Sequence, residues 1–270
     1  MRRAIYVSSV NGDDANSGYA PEKAFRSLRK VNQMEIQPGD QILLERGSVF
    51  VGEYLHLYRG GTKEAPVVVD AYGEGALPRI ETDGNGIWYQ NYGGHLDNVV
   101  HIWKGYLSSA VLLYDAEYIS IRNLEITNNP CVQNERLNQA DRMNRTGVSV
   151  IAKNHGTLHE IELDHLYIHD VEGNIYDKHL NNGGIYMSVS RPDDEEKTGI
   201  ARYDGIHIHH CKVENCRRWG IAAGYTYQHD KFTTLELPDE VVKAYGSTNV
   251  VIEHNFVKDI GGDGITPMYC

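Results

Sequence analysis

The chain has 270 residues, 41% hydrophobic and 23% charged, and no run approaches the roughly 20 apolar residues of a membrane-spanning helix. Its 26 Lys and Arg stand against 37 Asp and Glu, a formal net charge of −11, and such a surface repels the phosphate backbone that nucleic-acid binders neutralise. Neither nucleic acid nor membrane is expected as a partner. The opening Met1-Arg2-Arg3-Ala4-Ile5-Tyr6-Val7 is basic but lacks the apolar stretch of a secretory signal. The compartment is therefore secreted or periplasmic if a signal has been removed, and cytoplasmic otherwise.

After Pro21, Phe25, Leu28 and Val31 recur at three-residue intervals, which predicts a short amphipathic helix running to about Met34 that caps the strands beyond it. Pro38-Gly39-Asp40 is a turn, and Gln41-Ile42-Leu43-Leu44, Tyr54-Leu55-His56-Leu57 and Val67-Val68-Val69 read as strands. Residues 82–98, rich in Gly, Asn and Tyr, read as an inserted loop.

Four segments then share one pattern: residues 118–126, 160–168, 205–213 and 249–257. Each reads strand, bend, strand, with apolar residues alternating in each half and Asn123, His165, His210 or His254 at the bend. From Ile119 to Ile161, Ile206 and Val250 the spacings are 42, 45 and 44 residues. A second set interleaves with the first: Gly147-Val148-Ser149-Val150, Gly184-Ile185-Tyr186-Met187, Gly220-Ile221-Ala222-Ala223 and Gly264-Ile265-Thr266-Pro267. Three short strands per repeat with no helical periodicity between them predict an all-β fold, a right-handed parallel β-helix or solenoid, over a β-sandwich. The reading makes 1–270 one domain, with 1–40 as entry strand and cap and 41–270 as coils with inserted loops. Because Met268-Tyr269-Cys270 stops in a strand without a polar cap, the solenoid is expected to continue beyond residue 270 in a longer protein.

Leu124, Leu166, Cys211 and Asn255 fall at one position of the repeat, so they should stack in the interior about 4.8 Å apart. Asn255 then requires a hydrogen-bond partner, from backbone at a turn or from a like residue. The four cysteines are too few for a disulfide framework. Cys211 and Cys216, about 16 Å apart on extended chain, read as buried thiols.

Several stretches resemble the entry region of right-handed β-helix proteins of carbohydrate metabolism. They are Tyr6-Val7-Ser8, Gly12-Asp13-Asp14-Ala15-Asn16-Ser17-Gly18, Ala24-Phe25-Arg26-Ser27-Leu28, Pro38 to Leu44, and Gly61-Thr62-Lys63-Glu64-Ala65-Pro66-Val67-Val68-Val69. Glu253-His254-Asn255-Phe256-Val257 and Gly262-Asp263-Gly264-Ile265 are similar to coil motifs of the same group. The resemblance implies a carbohydrate-active solenoid, a glycoside hydrolase or a polysaccharide lyase. No family-specific catalytic signature singles out one reaction, and the polygalacturonase-like pairing of Asp-Asp with a later Gly-His-Gly is absent.

Long excursions at 128–146, 172–183, 190–204 and 225–247 flank the glycine-led strands and should wall a groove over them. That groove would be lined by Tyr186, Ser188, Arg217, Arg218, Trp219, Tyr225, Tyr227, His229 and Thr266, since aromatic rings suit sugar faces and charged groups bind hydroxyls. Asp263, between glycines at the start of the last such strand, is the first candidate catalytic carboxylate, and Asp230 and Asp259 follow. Hydrolysis needs two carboxyl groups, about 5 Å apart for retention or 6.5–9.5 Å for inversion, so the partner of Asp263 has to come from a loop, such as Asp230 or Asp177, or from a later coil. A lyase would instead need cations such as Arg217 or Arg218 and a base such as His229. The substrate expected is a poly- or oligosaccharide, with hydrolysis preferred to β-elimination, and a non-catalytic glycan-binding solenoid is the alternative.

No cofactor is expected, although calcium could sit in the acidic run Asp193-Asp194-Glu195-Glu196. His207 and His209 share one face of a strand while His210 points to the other, and zinc is not expected because no third ligand can be placed.

Overall fold

The structure, a computed structural model, describes residues 3–93, 103–130, 143–177, 180–228 and 238–268, with backbone only at 224 and 225. Strand β1 (Ala4–Val7) and helix α1 (Leu28–Asn32) precede successive circuits of the chain. The first comprises β2 (Gln41–Glu45), β3 (Val49–Val51) and β4 (Leu55–Leu57), and the second β5 (Val67–Tyr72), β6 (Arg79–Glu81), β7 (Ile87–Asn91) and β8 (Lys104–Tyr114). Then come β9 (Ile119–Arg122), β10 (Glu125–Asn128) and β11 (Asn144–Ala152), followed by β12 (Thr157–Asp164), β13 (Tyr167–Val171) and β14 (Gly183–Val189). β15 (Arg202–His209), β16 (Lys212–Cys216) and β17 (Ile221–Thr226) lead to β18 (Thr248–Glu253), β19 (Phe256–Ile260) and β20 (Ile265–Pro267).

Each circuit contributes one strand to each of three sheets, so the fold is all-β and solenoid-like. Sheet A runs β1-β2-β5-β9-β12-β15-β18, sheet B β3-β6-β10-β13-β16-β19, and sheet C β4-β8-β11-β14-β17-β20. All of these pairings are parallel, and β7 joins sheet C antiparallel to β8. Register stacks like on like: Ile5, Ile42, Val69, Ile121, Leu163 and Ile208 in sheet A, and Phe50, Ile80, Ile126, Ile168 and Val213 in sheet B. Leu55, Val111, Val148, Ile185 and Ile221 form the third row, and every residue of the three rows is fully buried.

The recurring bend residues have a backbone explanation. Asn123, His165, His210 and His254 adopt φ of 56°, 49°, 51° and 53°, the left-handed region that Asn and His enter more readily than most residues. Just after that bend, Asn255 accepts from the Cys211 amide (2.9 Å) and donates to the Ile208 carbonyl (2.8 Å), which meets the hydrogen-bonding need expected of it. Cys211 and Cys216 are free and buried.

The glycines that open the sheet C strands mark a corner. A Cβ at Gly147 would lie 2.5 Å from Ile168 Cγ2, at Gly184 2.4 Å from Val213 Cγ1, and at Gly220 2.7 Å from Val257 Cγ1. Sheet B thus packs so close behind this row that only hydrogen fits. The rows Thr146–Gly183 and Ile185–Ile221–Ile265 pair in register, so the glycine-led strands lie directly over one another in a single sheet.

Three expectations change. Residues 82–98 were expected as loop, but Ile87–Asn91 is strand β7, with Trp88 and Gln90 buried and Ile87 and Tyr89 exposed, the alternation of a half-covered strand. Excursion 128–146 ends earlier, because Asn144–Thr146 already pairs with Leu107–Ser109. The predicted helix is only Leu28–Asn32: it buries Leu28 and Val31, while Phe25 lies outside it and bridges to Val7 in parallel fashion.

Candidate active site on the outer face of sheet C

On strands β8 and β11 the residues that do not face the core are themselves covered. Leu107, Leu112, Ile151, Trp88 and Leu180 form an apolar cluster separate from the core, so elements from outside close over this face. Beside that cluster lies a set of buried polar side chains. Trp88 Nε1 donates to Ser109 Oγ (2.8 Å), and Ser109, Thr146 and Ser149 hydroxyls interconnect at 2.7–2.8 Å. Gln90 reaches from β7 to Asn181 (3.2 Å) and Ser188 (3.3 Å), and Ser188 donates to Asn181 Oδ1 (2.9 Å). Desolvated amides and hydroxyls cost free energy unless paired, so this mesh fixes the 180–183 segment against β14.

The excursion between β13 and β14 brings the buried acids. Asp177 Oδ2 accepts from Asn144 Nδ2 (2.7 Å), and Asn182 donates to the carbonyls of Asn174 and of Asp177 (3.3 Å for the latter). Glu172 accepts from Arg217 Nε (3.1 Å), while its backbone carbonyl accepts from Arg145 Nη1 (2.7 Å). Gly183, φ +112°, closes the segment, and a Cβ there would meet the Trp219 carbonyl oxygen at 2.2 Å. The excursion therefore carries two buried carboxylates, one held by an amide and one by a guanidinium.

Of the residues expected to line the groove, Tyr186 and Trp219 pack edge-to-face at 6.4 Å between ring centroids, and both are buried. They form floor rather than the open stacking surface expected, because the ring faces are covered. Arg218 lays its guanidinium on Trp219, 4.5 Å from the ring centroid. Arg218 Nε and Thr266 Oγ1 are buried and have no hydrogen-bond partner among the described residues. Ser188 lies in the polar mesh, and Tyr225 pairs with it in register on β17. Tyr227 is buried and donates to Glu195 Oε2 (2.6 Å). Asp263 stands exposed at the turn into β20, its carbonyl accepting from the Gly220 amide (3.0 Å), which sets it one circuit beyond Trp219.

Asp259 belongs elsewhere: it is on β19 of sheet B, exposed, at φ 53° in line with Asp170 (52°) and Asn215 (51°). A left-handed bend that Asp and Asn tolerate accounts for it, and it does not share the sheet C face. Asp230 and His229 lie outside the described residues. The acidic run is occupied by its own protein: Asp193 accepts from Lys153 (2.7 Å) and Asn154 (2.8 Å), Asp194 caps a short helix, and Glu195 binds Tyr227. Gln90, Asn144, Glu172 and Asn181 were not singled out from sequence. The available signals were the Trp88/Gln90 alternation and the Asn-Asn-Gly-Gly run leading into a strand.

Two clusters of metal-ligating types occur on sheet A among the described residues, Glu162–His207–His209 and Asp164–His165–His210, with donor atoms in each within 4.8 Å of one another. The third potential donor, which the sequence by itself did not place, is Glu162, brought opposite His207 by the β12–β15 register.

No family model matches the chain. It is 40% identical to a lacto-N-biosidase of Bifidobacterium longum over 301 aligned residues, covering 98% of this chain but 19% of that protein. It is 56% identical to the GH136 lacto-N-biosidase of Eubacterium ramulus, solved in native and selenomethionine forms. That match has a TM-score of 0.96 and covers 99% of this chain and 43% of the solved one. The chain thus spans less than half the length of these lacto-N-biosidases, and the resemblance extends over nearly all of its own residues.

Proposed function

We propose that this chain forms part of a glycoside hydrolase of the GH136 lacto-N-biosidase kind, and that its three parallel sheets wind as a right-handed parallel β-helix. The handedness follows from the general rule that parallel crossovers are right-handed. The observation that carries the functional reading is the likeness to the Eubacterium ramulus enzyme, 56% identity and a TM-score of 0.96 over 99% of the chain.

The outer face of sheet C supports it chemically. Arg218 Nε and Thr266 Oγ1 are buried polar atoms without a hydrogen-bond partner among the described residues, so this end of the sheet carries unmet polarity. Asp177, oriented by Asn144 on β11, and Asp263, open to solvent at the turn into β20, are alternative carboxylates for bond cleavage rather than one pair, because three circuits of sheet C, roughly 14 Å, separate their strands. Tyr176, 59% exposed beside Asp177, offers an open ring for a sugar face. Hydrolysis is favoured over β-elimination because Arg217, a cation a lyase would turn on a uronate, is engaged by Glu172.

The test is the native protein carrying this chain, incubated with a chromogenic lacto-N-bioside and, separately, with uronate polymers. Release of the disaccharide without unsaturated-sugar absorbance is expected. Asn substitution at the catalytic one of Asp177 and Asp263 should lower kcat by about 100-fold or more, and Tyr176→Ala should raise KM. Unsaturated products would overturn the hydrolase reading. Full activity in either Asp variant would remove that residue from the mechanism.

A further inference from the structure

Sheet A carries a feature that the sugar-cleaving reading does not use. Its outward side chains form two rows across the circuits: Ser120, Glu162, His207 and Val251 in one, Arg122, Asp164, His209 and Glu253 in the next. Two imidazoles are thereby set among three carboxylates. The His207 and His209 rings stack with centroids 3.9 Å apart, His209 Nε2 is 3.3 Å from Glu162 Oε1, and His207 Nε2 is 3.0 Å from Glu253 Oε1.

We propose that Glu162, His207 and His209 form a binding site for a borderline divalent transition metal, zinc being the type ion, with an open coordination position facing solvent. Imidazole and carboxylate are the donors zinc takes, and ligands about 2.0–2.2 Å from a tetrahedral ion stand about 3.4 Å apart. The Glu162–His209 pair already matches such an edge at 3.3 Å, and all three donors lie within 4.8 Å of one another. The surroundings have the form of an outer shell. Asp164 Oδ1 lies 3.0 Å from His209 Nδ1, which holds the proton on that nitrogen and turns the Nε2 lone pair towards Glu162. Ser120 donates to Glu162 Oε2 (2.6 Å) and leaves the other oxygen for the ion.

Access is open as well. A groove of about 740 Å³ runs over this face, lined among others by Ser120, Arg122, Glu162, His207 and Val251. The second cluster contains Asp164, the carboxylate beside His209, and touches the first through His209 and His210, whose Nδ1 atoms are 2.9 Å apart. His165 and His210 are nevertheless the more exposed pair, and Asp164 already serves His209, so the ion is assigned to Glu162–His207–His209.

The experiment is calorimetric titration of the full, tag-free, chelator-treated chain with zinc chloride, with cobalt(II) as a visible-absorbance reporter. One equivalent should bind in the micromolar range with a cobalt spectrum of low-coordinate type. His207→Ala and His209→Ala should each weaken binding by about 10-fold or more, and His165→Ala and His210→Ala by less than about 3-fold. If an alanine variant fails to fold, Glu162→Gln, which keeps the shape and can still accept from Ser120, decides the question by the same loss. Absence of saturable binding below about 1 mM would overturn the proposal. So would wild-type affinity in His209→Ala or Glu162→Gln, or loss confined to His165→Ala and His210→Ala.

Discussion

Gly184→Ala tests whether sheets B and C meet as tightly as the corner row implies. The added methyl would lie 2.4 Å from Val213 Cγ1 and 2.6 Å from the Gly220 carbonyl oxygen. Val213 is fully buried, and that carbonyl accepts from the Ile185 amide at 2.9 Å, so neither neighbour can retreat without loss. Overpacking costs about 1–3 kcal/mol and a disturbed ladder bond about 1 kcal/mol, against about 0.4–1 kcal/mol gained by restricting the unfolded chain. The net is a destabilisation of about 2–3 kcal/mol. For a chain of 270 residues this lowers Tm by roughly 5 °C, taking about 2.1 cal/mol/K of unfolding entropy per residue. The control is Gly105→Ala, whose methyl would meet only the far end of Leu180, Cδ1 at 3.4 Å, and should stay within about 0.5 kcal/mol of wild type. In a cycle with Val213→Ala, the two changes should couple favourably by about 1 kcal/mol, because shortening Val213 opens space for the new methyl. Calorimetric melts that place Gly184→Ala within about 1 °C of wild type, or no lower than Gly105→Ala, would refute the close-packed corner.

The remaining predictions concern buried polar groups. Burial pushes His56 down to about 4 from its ordinary 6.5, with the Ser109 carbonyl opposing. The folded state thus holds His56 neutral while the unfolded chain takes up a proton below about 6.5. Its contribution is intact above that pH and is lost as pH falls towards 4, by up to about 3 kcal/mol. Denaturant titrations at pH 7 and pH 4.5 should show a smaller loss in His56→Gln than in wild type, and equal losses would count against the buried neutral imidazole. Asn255→Ala removes the acceptor of the Cys211 amide and the donor to Ile208, and should cost about 1–2 kcal/mol in the same titration. Burial raises Cys211 to about 12 and moves Cys216 upward as well. Peptide mapping after iodoacetamide at pH 8 should therefore find both thiols unlabelled in native protein and labelled in denaturant; native labelling at either would show an opening the fold does not contain.

Much of the stacking was readable along the chain. Repeats 42–45 residues apart placed Ile119, Ile161 and Ile206 in one row, and the register between β9, β12 and β15 bears that out. Asn123, His165, His210 and His254 announced the bend by residue type, since few side chains accept positive φ. Gly147, Gly184 and Gly220 marked positions where a neighbouring sheet leaves no room for a side chain. These features are local or periodic, and a solenoid repeats its local rules at every circuit.

Other parts became visible only in three dimensions. Strand alternation says that Tyr186 and Ser188 leave the core side, yet not that Gln90, Asn181 and Trp219 would cover them. The covering elements come from excursions of unequal length whose paths obey no period. In the same way, His207 and His209 are two residues apart and legible as a pair. Glu162, 45 residues before His207, joins them only through the pairing of β12 with β15. What the amino-acid order determined by itself is the inward half of each strand, because apolar burial repeats every second residue. The tertiary structure alone decided the outward half, because what lies above an outward side chain depends on register across a circuit and on loops that fold back over it.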